Sequence, residues 1–159
     1  MWDRALMFRL VQMKLAPLYG IACDDVHHYQ QYGLGTCNPG RGWVVVRSAR
    51  LTADDIVRSM RDGQFYASSG VILSDLKLIP GAYKVTVQPS PGVRFRIQFI
   101  GAHRGHAPQV FSESKGLEAV YHFRGDEVYV RADVISSRLH SNPSEAGLGA
   151  AGHPTAAVH

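Results

Sequence analysis

The sequence contains few cysteines and no long apolar run. Its 159 residues include only two cysteines, Cys23 and Cys37, which are too few for a disulfide scaffold and favour a reducing, cytoplasmic compartment. No apolar stretch approaches the roughly 20 residues that a membrane-spanning helix needs. Residues 1–15 carry charged side chains inside their apolar stretch and have no small-residue cleavage site, unlike a secretion signal. We therefore expect a protein without a membrane partner.

The sequence also lacks any concentrated block of positive charge. Seventeen Lys and Arg against 13 Asp and Glu give a net charge of +4, but the arginines are scattered singly along the chain. A nucleic-acid-binding surface would need them in a patch or stripe, so we expect a solvated basic surface and no nucleic-acid partner. The hydrophobic share of 45% excludes wholesale disorder, and the length suffices for a buried core.

Residues 1–70 alternate between helical and strand-like patterns. Apolar side chains at helical spacing predict an N-terminal helix that ends at Pro17. Short apolar runs at residues 18–22, 43–46 and 65–68 predict three buried strands, the first two separated by a glycine- and proline-rich loop. Strands that alternate with a loop and a helix in this way are typical of an α/β barrel or a layered sheet.

The helix before the third of these strands has recognisable end signals. Thr52 can cap its first turn, with Asp55 as a weaker capping-box partner. Leu51 can pack against Ile56 as a hydrophobic staple. Gly63 can end the helix in the left-handed conformation. These signals predict a helix of about three turns.

After Gly70 the hydrophobic pattern changes to strict alternation. The alternating stretches are residues 83–87, 93–99, 117–123 and 128–134. Turn-forming residues separate them, so each stretch predicts a strand with one apolar and one polar face. The sequence therefore predicts an antiparallel β-sandwich over residues 71–140. Residues 141–159 are rich in Ser, Pro, Gly and Ala and predict a disordered tail.

The tripeptide Asp25-Val26-His27 is the sharpest candidate for chemistry. On an extended backbone, residues two apart point the same way, so the carboxylate and the imidazole would converge at the end of the strand predicted at 18–22. These donors suit Zn²⁺, Mn²⁺ or Fe. The tripeptide is equally compatible with an ordinary polar strand end that carries a surface carboxylate and a half-buried histidine.

Two other sets of residues are weaker candidates for a metal site. Cys23, His27, His28 and Cys37 contain zinc-ligating residue types, but their spacing matches no common zinc finger. His103 and His106 lie in a glycine-containing loop between strands, which favours a solvated loop.

Several segments taken together resemble one family. Residues 19–29, which include Asp24-Asp25-Val26-His27-His28, resemble the last metal-binding motif of the PHP superfamily, named for polymerase and histidinol phosphatase. Residues 42–47, Leu51-Thr52 at the start of a helix, and residues 63–70 are similar to the carbaryl-hydrolase-like branch of that superfamily. The likeness spans most of residues 2–140.

The resemblance implies an α+β fold in three parts. Residues 1–70 would be the last strands and helices of a distorted PHP-type α/β barrel and 71–140 a small antiparallel β-sandwich domain; the third part, 141–159, is the disordered tail that the composition predicts. It implies divalent metal ions (Zn, Mn or Fe) and a small-molecule ester substrate, above all a phosphate ester. Asp25 and His27 match the metal ligands, and Asp24, His28 and Tyr29 would lie around them or at the pocket mouth.

The chain departs from the family in its number of ligands. The family begins with a His-x-His pair and further His and Glu ligands, which are not among these 159 residues. Two ligands do not hold a multinuclear centre. We therefore expect the C-terminal fragment of a metal-dependent phosphoesterase, inactive alone. The alternative is a non-enzymatic β-sandwich binding module with a barrel remnant, which uses the strand that carries Phe95, Ile97 and Phe99.

Overall fold

The computed structural model describes residues 2–140 and the backbone of Thr155–Val158. Helix α1 (Trp2–Met7) continues into a π-helical turn at Phe8–Gln12, and helix α2 covers Ala53–Arg61. The strands are β1 (Trp43–Val46), β2 (Phe65–Ser68), β3 (Leu73–Ile79), β4 (Ala82–Val87), β5 (Phe95–His103), β6 (Gln109–Lys115), β7 (Glu118–His122), β8 (Glu127–Ser136) and β9 (Thr155–Val158).

The strands pair in antiparallel fashion throughout the described residues. A six-stranded sheet has the order β1-β2-β9-β8-β5-β6, and a three-stranded sheet has the order β3-β4-β7. Strand β9 lies between β2 and β8. Without it, the strands form three small antiparallel groups: β1-β2, β8-β5-β6 and β3-β4-β7. The described ranges contain neither a parallel pair nor a closed barrel. Even β1 and β2, which flank α2, run antiparallel rather than as a strand–helix–strand barrel unit.

The two sheets enclose one hydrophobic core. It contains fully buried side chains from β4, β5 and β8, such as Val85, Ile97 and Val134. Rings from opposite sheets pack edge to face, with the centroids of Tyr83 and Phe99 5.5 Å apart. The prediction of antiparallel β-structure for residues 71–140 is confirmed. Strands β3 to β8 lie in this range, and it contains no helix.

The core extends across the expected boundary between residues 70 and 71. Tyr66 on β2 packs in the same cluster as Val85 and Ile97. Its hydroxyl accepts a hydrogen bond from the backbone N–H of Leu73 at 3.1 Å, where β3 begins. The short β1–β2 pair is therefore fixed to the sandwich by a buried aromatic side chain.

Helix α2 follows its sequence signals closely. Thr52 is the N-cap, and its hydroxyl accepts the backbone N–H of Asp55 at 3.3 Å. Gly63 takes the left-handed conformation after the helix, with φ of +69°. The predicted staple is wrong, because the Leu51 side chain is 94% exposed and packs on nothing substantial.

Two further predictions concern residues 18–22 and the C-terminal residues 141–159. Residues 18–22 form no strand and none of them is fully buried, so the prediction of a buried strand there is wrong. Strand β1, which follows the loop, pairs with β2 instead. The predicted disordered tail at 141–159 lies outside the described residues except for the backbone of β9.

The N-terminal helix is attached to β8 by a charged cluster. Arg131, on β8, donates to both carboxylate oxygens of Asp3 at 2.8 and 2.9 Å, and Tyr129 donates to the same carboxylate at 2.8 Å. The Arg131 guanidinium also lies 5.3 Å from the centre of the Trp2 ring. The hydrogen bonds from Arg131 hold the pKa of Asp3 below its ordinary 3.8, although burial acts in the opposite direction.

We expect Asp3→Asn to lower the free energy of unfolding by about 1–3 kcal/mol, because it removes the charge from a half-buried, hydrogen-bonded pair. The lowered pKa means that the ionised carboxylate stabilises the fold above pH 3.8 and loses this effect as the pH falls through its folded-state pKa. Denaturant unfolding at several pH values measures this. The difference between wild type and variant should shrink below pH 3.8, and the exposed control Asp62→Asn should show little change.

Candidate functional site

The candidate residues lie in a long loop before β1, which we call the 24–42 loop after its residue numbers. It contains neither helix nor strand. Its one buried residue is Asn38, whose side chain is 0% exposed. The Asn38 amide nitrogen donates to the backbone oxygens of His28 and Gln31, and its amide oxygen accepts the backbone N–H of Gly33 and the hydroxyl of Thr36. The loop is therefore folded around one amide side chain.

Asp24 joins the two ends of the loop. Its carboxylate accepts the backbone N–H groups of Gly40 at 2.8 Å, of Arg41 at 2.6 Å and of Gly42. Burial raises the pKa of Asp24, but these hydrogen bonds outweigh it, so that the pKa lies below its ordinary 3.8. The resemblance places Asp24 around the metal or at the pocket mouth. In the structure its oxygens are engaged with backbone N–H groups.

Asp25 is not in an extended conformation. Its φ of +50° is left-handed, a region that non-glycine residues seldom adopt. The alternation argument for Asp25 and His27 therefore fails, because it required a strand at this point. The two side chains nevertheless come together, with Asp25 Oδ1 4.0 Å from His27 Nδ1. Both are exposed, at 86% and 64% of the side-chain surface.

The ring of His27 is oriented by a local hydrogen bond. His27 Nδ1 lies 2.5 Å from the backbone oxygen of Asp25. Because a carbonyl oxygen only accepts, Nδ1 must carry the proton, and in the neutral ring the lone pair is then on Nε2. Metal-bound histidines commonly show this arrangement, with one nitrogen donating to a carbonyl and the other binding the ion.

The Nδ1 atom of the adjacent His28 accepts a hydrogen bond, whereas that of His27 donates one. Its Nδ1 accepts the backbone N–H of Cys37 at 3.1 Å, so that in the neutral ring Nε2 carries the proton. His28 thus has no free ring lone pair for a cation in this arrangement. Its ring joins the two sides of the loop. Tyr29, the last of the expected pocket residues, is 70% exposed.

These residues fit part of a metal site. One carboxylate and one imidazole nitrogen are donors of the types that Zn²⁺, Mn²⁺ and Fe accept. The Asp25 carboxylate, however, lies on the side of the ring that carries the protonated Nδ1 and is not directed to the same point as Nε2. Within residues 2–140 and the β9 backbone, His, Cys, Asp and Glu form no group of three that could hold an ion. The described part of the chain thus supplies fewer donors than a catalytic centre needs.

The loop also lies apart from the two largest cavities described for residues 2–140. Cavities of about 550 and 380 Å³ lie between β1 and β3 and beneath α1, and residues outside the 24–42 loop line them. The candidate donors are therefore on an open surface, where a substrate would contact them from one side only.

The other metal candidates do not come together as a ligand set. Cys23 and Cys37 are free thiols, and neither belongs to a metal-binding group within the described ranges. His103 lies 3.3 Å from Asp126 at one end of the sandwich, and its ring centre is 6.4 Å from that of His106. These two histidines contact each other edge to face without converging on one point.

Sequence reasoning missed two features of this site. The central role of Asn38 is a feature of the loop's tertiary structure, although Asn followed by Pro39 and Gly40 is a signal for a tight turn. The engagement of Asp24 with Gly40 and Gly42 likewise depends on long-range folding of the loop. Of the partners of Asn38, His28 and Gln31 lie ten and seven residues away in the sequence, and Gly40 lies 16 residues from Asp24.

Comparisons with protein-family models, with curated proteins and with solved structures found no match. Separately, none of the helices described here is long and apolar enough to cross a membrane.

We expect Asp24→Asn and Asp25→Asn to differ sharply, although the two residues are adjacent. Asp24→Asn should raise the exchange rates of the Gly40, Arg41 and Gly42 amide protons by about 10-fold or more, because hydrogen bonds to a charged acceptor contribute about 1.5–3 kcal/mol. Asp25→Asn, the matched control, should leave these rates unchanged. Amide hydrogen exchange followed by NMR provides the measurement. Equal effects of both substitutions would contradict the assignment.

Proposed function

We propose that this chain contributes two metal ligands, Asp25 and His27, to a metal-dependent hydrolase of the PHP type that acts on small esters, phosphate esters above all. The observation that carries the proposal is the hydrogen bond from His27 Nδ1 to the Asp25 carbonyl oxygen. It leaves Nε2 as the nitrogen that accepts a cation. In this proposal the Asp25 carboxylate, whose Oδ1 lies 4.0 Å from Nδ1, supplies a second, negatively charged donor once its exposed side chain turns toward Nε2.

The remaining ligands come, in this proposal, from polypeptide outside these residues. Residues 1–70 would complete a distorted α/β barrel together with that polypeptide, and the 159 residues alone would be inactive. The open position of the 24–42 loop supports this, because its donors face solvent and lie apart from the cavities of the molecule. The free thiols Cys23 and Cys37 agree with the reducing, cytoplasmic compartment that we include in the proposal.

The chemistry divides between the ions and the protein. When bound, divalent ions supply a hydroxide nucleophile near neutral pH and neutralise charge on the phosphoryl oxygens. In this proposal, the residues of this chain hold the ions and orient the side chains that bind them. His27 presents Nε2, Asp25 presents its carboxylate, and Asp24 fixes the loop that carries both of them through the backbone of Gly40 to Gly42.

The alternative, a β-sandwich binding module, loses the feature that suggested it. Phe95, Ile97 and Phe99 were to form a binding face, but all three side chains are buried in the core between the two sheets, with Ile97 and Phe99 almost fully enclosed. A side chain inside the core does not contact a partner. The sandwich accordingly acts as a support for the β1–β2 segment in this proposal.

We expect His27→Ala to reduce metal content and turnover by at least 100-fold when the 159 residues are joined to a complete barrel of the PHP type, because one ligand and its positioning hydrogen bond are lost. The measurements are metal analysis of the purified protein and hydrolysis of a chromogenic phosphate ester. The exposed His122 on β7 gives the matched control His122→Ala, which should retain both properties. Unchanged metal content in His27→Ala would disprove the role of His27.

A further inference from the structure

The larger of the two cavities lies between the β1–β2 pair and the edge strand β3. It measures about 550 Å³, within the range of roughly 300–1,000 Å³ that small-molecule sites occupy. Strand β1 supplies Val45 and Val46 to its walls, β2 supplies Phe65 and Tyr66, and β3 supplies residues 73–78. The cavity is therefore large enough for a small organic molecule and has walls from both sheets.

Buried aromatic and apolar side chains form the inner part of this cavity. Phe65, Tyr66 and Tyr83 line it and are 5, 7 and 3% exposed. Leu78, which also lines it, pairs directly with Tyr83 across the β3–β4 ladder, so the two side chains lie on the same face of their sheet. Walls of this kind accommodate the hydrocarbon or aromatic part of a ligand.

Two tyrosine hydroxyls add hydrogen-bond donors to these apolar walls. The hydroxyl of Tyr83 is buried and has no hydrogen-bond partner within residues 2–140 or the β9 backbone. The hydroxyl of Tyr66 accepts the backbone N–H of Leu73 at 3.1 Å, which leaves its own O–H as a donor. Because a buried hydroxyl without a partner is costly, an acceptor atom on a bound molecule would stabilise the complex at Tyr83.

Charged side chains stand at the mouth of the cavity. Arg47 and Lys77 line it with side chains that are 60% and 59% exposed, and both contact the carboxylate of Asp75. Lys77 Nζ lies 2.6 Å from that carboxylate, whereas the Arg47 guanidinium contacts it at 3.4 Å through one of its five N–H donors. Two cations against one carboxylate give this charged lining a net positive charge, which favours an anionic group.

We propose that this cavity binds a small organic acid. The carboxylate of the acid is held by the Arg47 guanidinium at the mouth, its apolar body lies between the aromatic walls, and its far end accepts a hydrogen bond from Tyr83. The planar guanidinium suits this role because its parallel N–H donors match the two oxygens of a carboxylate. The inference goes beyond the proposed metal function, since neither Asp25 nor His27 lines the cavity.

The smaller cavity beneath α1, which Tyr83 also lines, is less suited to an acid. The charged residue in its lining, Arg131, already contacts the carboxylates of Asp3 and Asp133 at 2.8 and 2.5 Å. A ligand carboxylate would be the third around one guanidinium, and like charges repel. The distribution of charge therefore favours the cavity at Arg47.

The experiment titrates the full 159-residue chain with 3-(4-hydroxyphenyl)propionate, with its uncharged carboxamide and with 3-phenylpropionate, and follows binding by ¹H–¹⁵N correlation NMR. The hydroxylated acid should shift the amide signals of β1 and β3. It should bind about 10-fold or more tightly than the carboxamide, because its carboxylate forms charge-assisted hydrogen bonds with Arg47. It should also bind about 3-fold more tightly than 3-phenylpropionate, because its hydroxyl oxygen accepts the Tyr83 proton.

Two variants separate the contributions of the mouth and the interior. Arg47→Gln should remove the preference for the acid over the carboxamide, whereas Arg104→Gln, an exposed control outside the cavity, should retain it. Tyr83→Phe should keep the fold, since it removes only an oxygen without a partner among the described residues, and should abolish the advantage of the ligand hydroxyl. The same spectra, recorded without ligand, show whether each variant is folded.

The outcomes that contradict the proposal are distinct from one another. Unshifted β1 and β3 signals at millimolar acid, or equal affinities for the acid and the carboxamide, would overturn it. Shifts confined to the residues beneath α1 would place the acid in the smaller cavity and would overturn it as well. A hydroxyl advantage that persists in Tyr83→Phe would disprove the hydrogen bond from Tyr83.

Discussion

A loop without helix or strand must satisfy its backbone by other means, and this constraint governs the candidate site. Buried N–H and C=O groups are costly when unpaired, because they lose their hydrogen bonds to water. In the 24–42 loop, the side chains of Asn38 and Asp24 form the hydrogen bonds with the backbone that a neighbouring strand would otherwise form. The amide of Asn38 satisfies the inside of the loop, and the carboxylate of Asp24 closes its two ends. Asp25 and His27 lie in the loop that these two side chains hold together.

Two neighbouring histidines of this loop form different hydrogen bonds through Nδ1. His27 donates from Nδ1 to a carbonyl oxygen, whereas His28 accepts at Nδ1 from a backbone N–H. The difference lies entirely in which backbone group each ring meets, since the residues are chemically identical. In the neutral rings, His27 therefore keeps its lone pair on Nε2, whereas the lone pair of His28 on Nδ1 is taken up by the backbone of the loop.

Local signals predicted much of the fold. Thr52, Asp55 and Gly63 lie within or beside α2 and act through contacts a few residues apart, so the helix and its ends follow from the sequence. Alternation after Gly70 likewise indicated strands with one buried face, which β4, β5 and β7 show. The apolar run at residues 18–22 gave the wrong result, because a strand needs a partner and hydrophobicity alone does not provide one.

The sequence by itself determined which residues are the candidates for metal binding, since a carboxylate and an imidazole two residues apart are recognisable donors wherever they lie. It also determined α2 and the alternating strands, whose causes are local. Only the tertiary structure decided how Asp25 and His27 approach each other, through a left-handed residue rather than an extended one. It also decided the hydrogen bond of each ring, because His27 Nδ1 meets the carbonyl oxygen of Asp25 and His28 Nδ1 meets the backbone N–H of Cys37, nine residues further along the chain.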